Sequence, residues 1–212
     1  MSYAYPYIVI QEPVNLAVSL DTVKDHLKID NTDSDAELTL LIKAATGIAE
    51  NYTRRIFINT GFKTYRCCFL DCFELKRSKF QSLQKYEYLQ SGSFVTIDSS
   101  LYYITNDTAY SKVILNSSAS YPNNLDVNEQ AIKIEFTAGY GTDEADIPYD
   151  LRVALLNHIA ALFENRGDCD NASSITTVPS TQNLPATSRI VYDLYRLQDV
   201  GYGDCGVNCG CL

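Results

Sequence analysis

The stretch from Asp33 to Phe57, DSDAELTLLIKAATGIAENYTRRIF, constrains the fold more than any other part of the chain. Leu38, Leu41, Ile42, Ala45, Ile48, Ala49 and Tyr52 recur at intervals of three and four, which lines them along one side of an α-helix. Thr39, Lys43, Thr46, Glu50 and Arg54 fall on the opposite side. Ser34 followed by Glu37 has the spacing of a capping box, and Asp35 adds negative charge where the helix dipole favours it. Arg54 and Arg55 suit the carbonyl end. Such a helix is stable only when its apolar stripe is covered, so the remaining chain must supply a partner surface. Nothing in the stretch resembles a catalytic arrangement.

The neighbouring segments supply that surface. Ser19 is placed to cap a helix over residues 20–28, with Leu20, Val23 and Leu27 inward, and the acidic break IDNTDSD turns it back as a helical hairpin. A further helix is expected over 148–166, entered through Pro148, with Leu151, Ala154, Leu155, His158, Ile159 and Leu162 on its inner side and Gly167 closing it. Between the two long helices the period changes to two. Strands are expected over 60–73, 84–90, 94–97, 101–105, 112–115 and 131–137, separated by Ser91-Gly92-Ser93, Asp98-Ser99-Ser100, Asn106-Asp107 and Asn123-Asn124. The reading is an α+β fold: a helical bundle of three main helices (20–28, 34–56 and 148–166) with an inserted antiparallel β region over 60–138 and a C-terminal arm. Residues 1–18 form an N-terminal arm or edge strand punctuated by Pro6 and Pro13, and 19–167 form the core. Residues 168–212 give a polar linker, a short helix over Ser188–Asp199 and a Cys/Gly-rich end.

Composition narrows the function classes. A net charge of −9 argues against a protein whose main task is gripping phosphates. No apolar run approaches the length of a membrane span, and the N-terminus lacks the pattern of a signal peptide, so synthesis in the cytoplasm is expected. On that basis the seven cysteines, Cys67, Cys68, Cys72, Cys169, Cys205, Cys209 and Cys211, are read as reduced thiols, the alternative being a disulfide formed after release from a cell. The spacing of the last three is not that of a zinc site.

No hydrolase, zinc-protease or phosphate-loop motif occurs, and Gly139-Tyr140-Gly141 reads as a turn. His26 and His158 both fall near inward stripes and read as packing residues. The acidic runs Asp30, Asp33, Asp35 and Asp143, Glu144, Asp146 sit at helix starts, where carboxylates are expected on dipole grounds. No catalytic residue, cofactor or metal is therefore assigned. Sixteen tyrosines stand out, with Tyr3, Tyr5, Tyr7 and Tyr192, Tyr195, Tyr202 near the two ends; they suit either surfaces buried against another protein or arms that fold back on their own domain.

Val18 to Thr60, VSLDTVKDHLKIDNTDSDAELTLLIKAATGIAENYTRRIFINT, resembles the opening of the tailed-phage head-tail connector (adaptor) family. Ile132 to Asp168, IKIEFTAGYGTDEADIPYDLRVALLNHIAALFENRGD, resembles that family's second signature. The resemblance implies a structural virion protein of the neck, assembled in the host cytoplasm as a homo-oligomeric ring of about a dozen subunits. Such a ring docks on the portal protein after DNA packaging, extends the DNA channel used in genome ejection and offers a platform to a downstream neck or tail-completion protein. DNA would pass through the lumen without sequence-specific binding, and an acidic chain suits that passage. By position in the family, Tyr192, Leu194, Tyr195 and Leu197 would be the portal-binding residues of a C-terminal arm, and a chain ending near Pro185 should still fold. The alternatives are another neck component (a stopper or tail-completion protein), or an enzyme with Cys67, Cys68 or Cys72 as nucleophile.

Overall fold

The structure is a computed structural model that describes residues 7–106, 110–165 and 184–197. The chain divides into two compact units, a helical one from 14–58 and 140–197 and a β-rich one built on 59–139 and the N-terminal strand.

In the helical unit, α1 (Leu20–Leu27) starts at Ser19, whose hydroxyl accepts the Thr22 N–H at 3.2 Å. It ends where Lys28 turns left-handed at φ 58°. The second helix, α2 (Asp35–Thr53), departs from expectation at both ends. The Ser34 side chain makes no capping bond, so the capping box does not form. The start is held instead by the Leu38 N–H on the Ser34 carbonyl and by a 2.8 Å ion pair from Lys24 of α1 to Asp35. At the other end the Thr53 hydroxyl donates back to the Ala49 carbonyl (2.8 Å) and accepts the Arg55 N–H (3.3 Å), while Arg54 turns left-handed at φ 59°. The helix therefore stops before Arg54 and Arg55. This lets Phe57 fold back, its N–H donating to Glu50 at 2.6 Å.

Along α2 the buried stripe is Leu38, Ile42, Ala45, Ala49 and Tyr52, narrower than expected, because Leu41 flanks it and Ile48 is exposed. It meets α3 (Tyr149–Glu164), whose Leu151, Ala154, Leu155, His158 and Ile159 are buried. A fourth helix, α4 (Ala186–Tyr195), lies outside the expected three. It buries Ser188 and Tyr192, four residues apart, in the same core. The segment read as an arm is thus structural. Its apolar Ile190 and Leu194 face outward, while the small Ser188 and the flat Tyr192 ring fit the gap over α3 and α2. A chain ending near Pro185 would lose this wholly buried tyrosine, which weighs against the expectation that it folds.

The β unit contains two antiparallel sheets. One has five strands in the order β1 (Ile8–Gln11), β2 (Thr60–Arg66), β8 (Ile132–Ala138), β4 (Phe80–Gln90) and β5 (Ser93–Thr96). The other has three, β3 (Cys72–Leu75), β7 (Ser111–Leu115) and β6 (Tyr102–Thr105). The single strand expected over 60–73 is two strands in different sheets, broken at Cys67–Asp71. The N-terminal segment pairs as an edge, Ile8 opposite Lys63 and Val9 opposite Phe62.

Central β8 alternates as its sequence indicates. Ile132, Ile134, Phe136 and Ala138 are buried, while on the other face Lys133 pairs with Glu87 at 2.5 Å and Glu135 with Lys85 at 3.4 Å. Phe136 gathers Phe62, Phe80 and Tyr7 around it at 5.8–6.4 Å between ring centres. The β4–β5 hairpin turns on Ser91 and Gly92, both with positive φ, and the Asp126 carboxylate accepts both their N–H groups.

Leu155→Asp should destabilise the protein by about 3–5 kcal/mol, since it leaves an unpaired carboxylate among apolar neighbours. Urea unfolding checks this, and an unchanged midpoint would mean that the inner face of α3 is wrongly assigned.

Candidate assembly surface

The C-terminal end of α4 is tied to α2 and α3 by several hydrogen bonds. Tyr52 of α2 donates a hydrogen bond to Asp193, and Tyr195 donates to both oxygens of Asp150 at the start of α3, at 2.8 and 2.9 Å. Burial, and then these bonds to Asp150, push the Tyr195 phenol up to about 12, so it stays a donor at any physiological pH. The Arg55 guanidinium donates to the Tyr195 carbonyl at 2.7 Å, and the Leu197 N–H donates to the Thr53 carbonyl at 3.0 Å. Beneath these ties Tyr192 lies between Tyr52 and His158, with its hydroxyl 3.5 Å from His158 Nδ1. Burial lowers the His158 pKa and raises that of Tyr192, so both are neutral.

Fixing α4 in this way presents a defined outer surface. Ile190 (66% exposed) and Leu194 (79%) stand one turn apart on α4, flanked by Arg189 and Asp193. Tyr149 (81%) and Val153 (55%) repeat the spacing on α3. Leu40 on α2 is also exposed. Of the four residues expected to bind the portal, only Leu194 is fully exposed. Tyr195 is half-buried, and Tyr192 and Leu197 are buried. Sequence reasoning left Ile190, Tyr149 and Val153 unassigned, because scattered apolar residues on a helix surface are ordinary and mark no site by themselves. The available signal was that α4 offers two apolar sides, Tyr192 and Ile190-Leu194, of which a short helix covers only one.

The remaining candidates resolve into structural roles. Tyr7 packs edge-on against Phe136, whereas Tyr3, Tyr5 and Tyr202 lie outside the described residues, as do Gly167 and the linker and Cys/Gly-rich end over 168–183 and 198–212. His26 is exposed rather than a packing residue, and His158 is buried as expected. Glu144 accepts the Ser19 N–H and Asp146 accepts the Asp143 N–H at 3.1 Å, so this acidic run caps backbone groups, while Asp35 of the other run pairs with Lys24. Among the described residues no group of three metal-ligating side chains converges. At Gly139, φ is +152° and an added Cβ would sit 2.5 Å from the Asn59 nitrogen, which fits its reading as a turn residue. Cys67, Cys68 and Cys72 are disulfide-bonded, which corrects the expectation of reduced thiols and removes the thiolate that a cysteine nucleophile requires. Cys169, Cys205, Cys209 and Cys211 lie outside the described residues.

Residues 17–81 match the family model of the phage gp6-like head-tail connector proteins, so the resemblance seen in the sequence holds over α1, α2 and the first strands that follow. Solved structures extend the likeness to the whole fold. A chain from the neck of an empty gene transfer agent (GTA) particle, computed with C6 symmetry, is 18% identical with a TM-score of 0.73, over 94% of this chain and 99% of that one. One from the neck of a native GTA particle, computed with C12 symmetry, is 19% identical with a TM-score of 0.71, over 94% and 99%. A third, from the virion of a native GTA particle, is 19% identical with a TM-score of 0.70, over 92% and 96%. No curated protein matches the chain in sequence.

His158 sets a pH dependence. Its folded pKa lies below the ordinary value near 6.5, so the unfolded chain takes up the proton first. The contribution is fully present above that value and is lost as pH falls below it. The melting temperature should therefore drop between pH 7 and 5, and His158→Phe should flatten that drop, as followed by circular dichroism.

Proposed function

We propose that this protein is a head-tail connector: a subunit of a closed ring in the neck of a tailed-phage-like particle, with no catalytic task. The observation that carries the reading is the coincidence of two independent likenesses. The family match falls on α1 and α2, and the fold of the entire chain follows that of neck proteins along nearly all of their length. An α+β chain could acquire one of these by common architecture alone. Both together point to the same role.

The surface chemistry suits assembly. A ring of identical subunits closes through heterologous contacts, in which one patch meets a different patch on the next copy. Separate outward apolar pairs, Tyr149-Val153 on α3 and Ile190-Leu194 on α4, are the kind of patch such contacts bury. Each pair lies on a helix fixed from behind, so little ordering entropy is lost on contact. In the neck, the ring sits between the portal protein and a downstream neck or tail-completion protein, and Leu194 with Ile190 belongs to the face that meets a neighbour or the portal. The net charge of −9 disfavours tight retention of the DNA that passes through the lumen.

Replacing both Ile190 and Leu194 with Asp tests this reading. Both side chains are exposed, so the melting temperature should stay within about 2 °C of the parent, consistent with the small effects of surface substitutions. Ring formation, measured by mass photometry with and without portal, should fall at least tenfold. Retention of full assembly would remove α4 from the interface, and absence of the wild-type protein from the necks of purified particles would overturn the function itself.

A further inference from the structure

Helix α2 has a second apolar side. Ala36, Leu40, Ala44 and Ile48 follow one another at intervals of four and are all exposed, on the side of the helix turned away from the buried Leu38, Ile42, Ala45 and Ala49. A Cβ added at Gly47 would meet nothing within 4 Å among the described residues, so Gly47 and Ala44 floor a shallow pit between Leu40 and Ile48. Glycine weakens a helix interior relative to alanine, and no contact within the described subunit calls for one here. The outward row of α4 is the converse. Ala186, Ile190 and Leu194 are exposed at the same interval of four, and the last two are bulky. Rows at this spacing are the ridges by which one helix packs into the grooves of another.

We propose that the α4 row of one copy packs into the α2 row of the next, with Ile190 or Leu194 seated in the pit at Ala44 and Gly47. The pairing names the partner of the α4 face and rests on the reading of the protein as a ring subunit. The two rows do not meet inside one subunit, because each lies on the side of its helix turned from the core that both helices share. Length selects α2 over α3 as the partner. At about 1.5 Å per residue the α4 row runs about 12 Å and the α2 row about 18 Å, whereas Tyr149-Val153 spans about 6 Å before the polar Asn157 interrupts it. The Tyr149 ring also has the Arg152 guanidinium over one face, 4.5 Å from its centre. Charge agrees with the choice: Lys43 is exposed beside the α2 row, and the half-exposed Asp193 carboxylate stands beside the α4 row. Packing α4 on a second α4 would leave the α2 row uncovered and would give a closed pair rather than a ring.

Complementation between two single variants of the full chain, Leu40→Asp and Leu194→Asp, tests the pairing. Both side chains are exposed, so each variant should keep the circular dichroism spectrum and melting temperature of the parent. Leu40→Gln and Leu194→Gln repeat the test should an aspartate unfold the chain. Each variant alone should self-associate roughly thirtyfold or more weakly than the parent in sedimentation velocity, the loss expected at the centre of an interface. Mixed in equal amounts, the two should form a species of two copies, one of each. The Leu40→Asp chain still carries an intact α4 row, and the Leu194→Asp chain an intact α2 row. Nitrogen-15 labelling of one variant identifies the mixed pair by native mass spectrometry. Full assembly by either variant alone would overturn the proposal, as would two non-assembling variants that fail to pair on mixing, or a parent chain that does not self-associate at any concentration. A parent that assembles with variants that do not complement sinks the pairing alone, whereas absence from particle necks sinks the connector reading.

Discussion

The helical unit depends on Tyr192. Its side chain is wholly buried, in ring contact with Tyr52 of α2 and His158 of α3, so one residue near the end of the described chain completes a core begun by Val18 and Val23. The hydroxyl is the difficult part of that burial. An unpartnered phenol among apolar groups would offset much of what its ring gains, and the His158 nitrogen, held neutral by the same burial, offers it a partner. Ser188 meets the same demand one turn earlier by donating to the Ala154 carbonyl at 2.8 Å. The two polar groups that α4 carries into the core each meet a partner on α3, and the position of α4 along α3 is set by those partners as well as by shape.

The β unit is organised differently. Its central strand β8 is bonded on both sides, to β2 and β4, and carries an aromatic and aliphatic face opposite a ladder of alternating charge. On that outer face Lys133 is shared between the Glu87 carboxylate and the Phe94 ring, 4.5 Å from its nitrogen. Hydrogen bonding to Glu87 raises the Lys133 pKa, so the cation persists and the register of β4 against β8 is marked by charge as well as by burial.

Much of this was legible in the residues themselves. Three helices and the clean alternation of Ile132 to Ala138 follow from periodicity, because each of those elements has one buried face and one wet one. The failures share a cause. Thr53 ends α2 early because its hydroxyl competes for backbone groups, an interaction that no apolar pattern encodes. The single strand expected over 60–73 divides because residues 67–71 connect two different sheets, and sheet membership is a long-range property. Helix α4 was visible, but which of its sides turns inward was not. Ile190 and Leu194 outweigh Ser188 and Tyr192 on any hydropathy scale, and only the acceptors on α3 reverse the order. Three of the four residues first assigned to portal contact therefore turn out half or fully buried, while their outward neighbours carry the exposed apolar surface.

The split of the helical unit across the chain has a consequence for synthesis. Its core draws on residues 14–58 and then on 140–197, so the β strands emerge from the ribosome while α2 still lacks both of its covering helices. An apolar stripe containing Leu38 and Ile42 waits exposed through the translation of some eighty residues, about 4–16 s at ordinary elongation rates. During that interval the nascent chain is a natural client for chaperones. Slow codons placed after α2 would lengthen its vulnerability, whereas the β unit, nearly contiguous in sequence, escapes it.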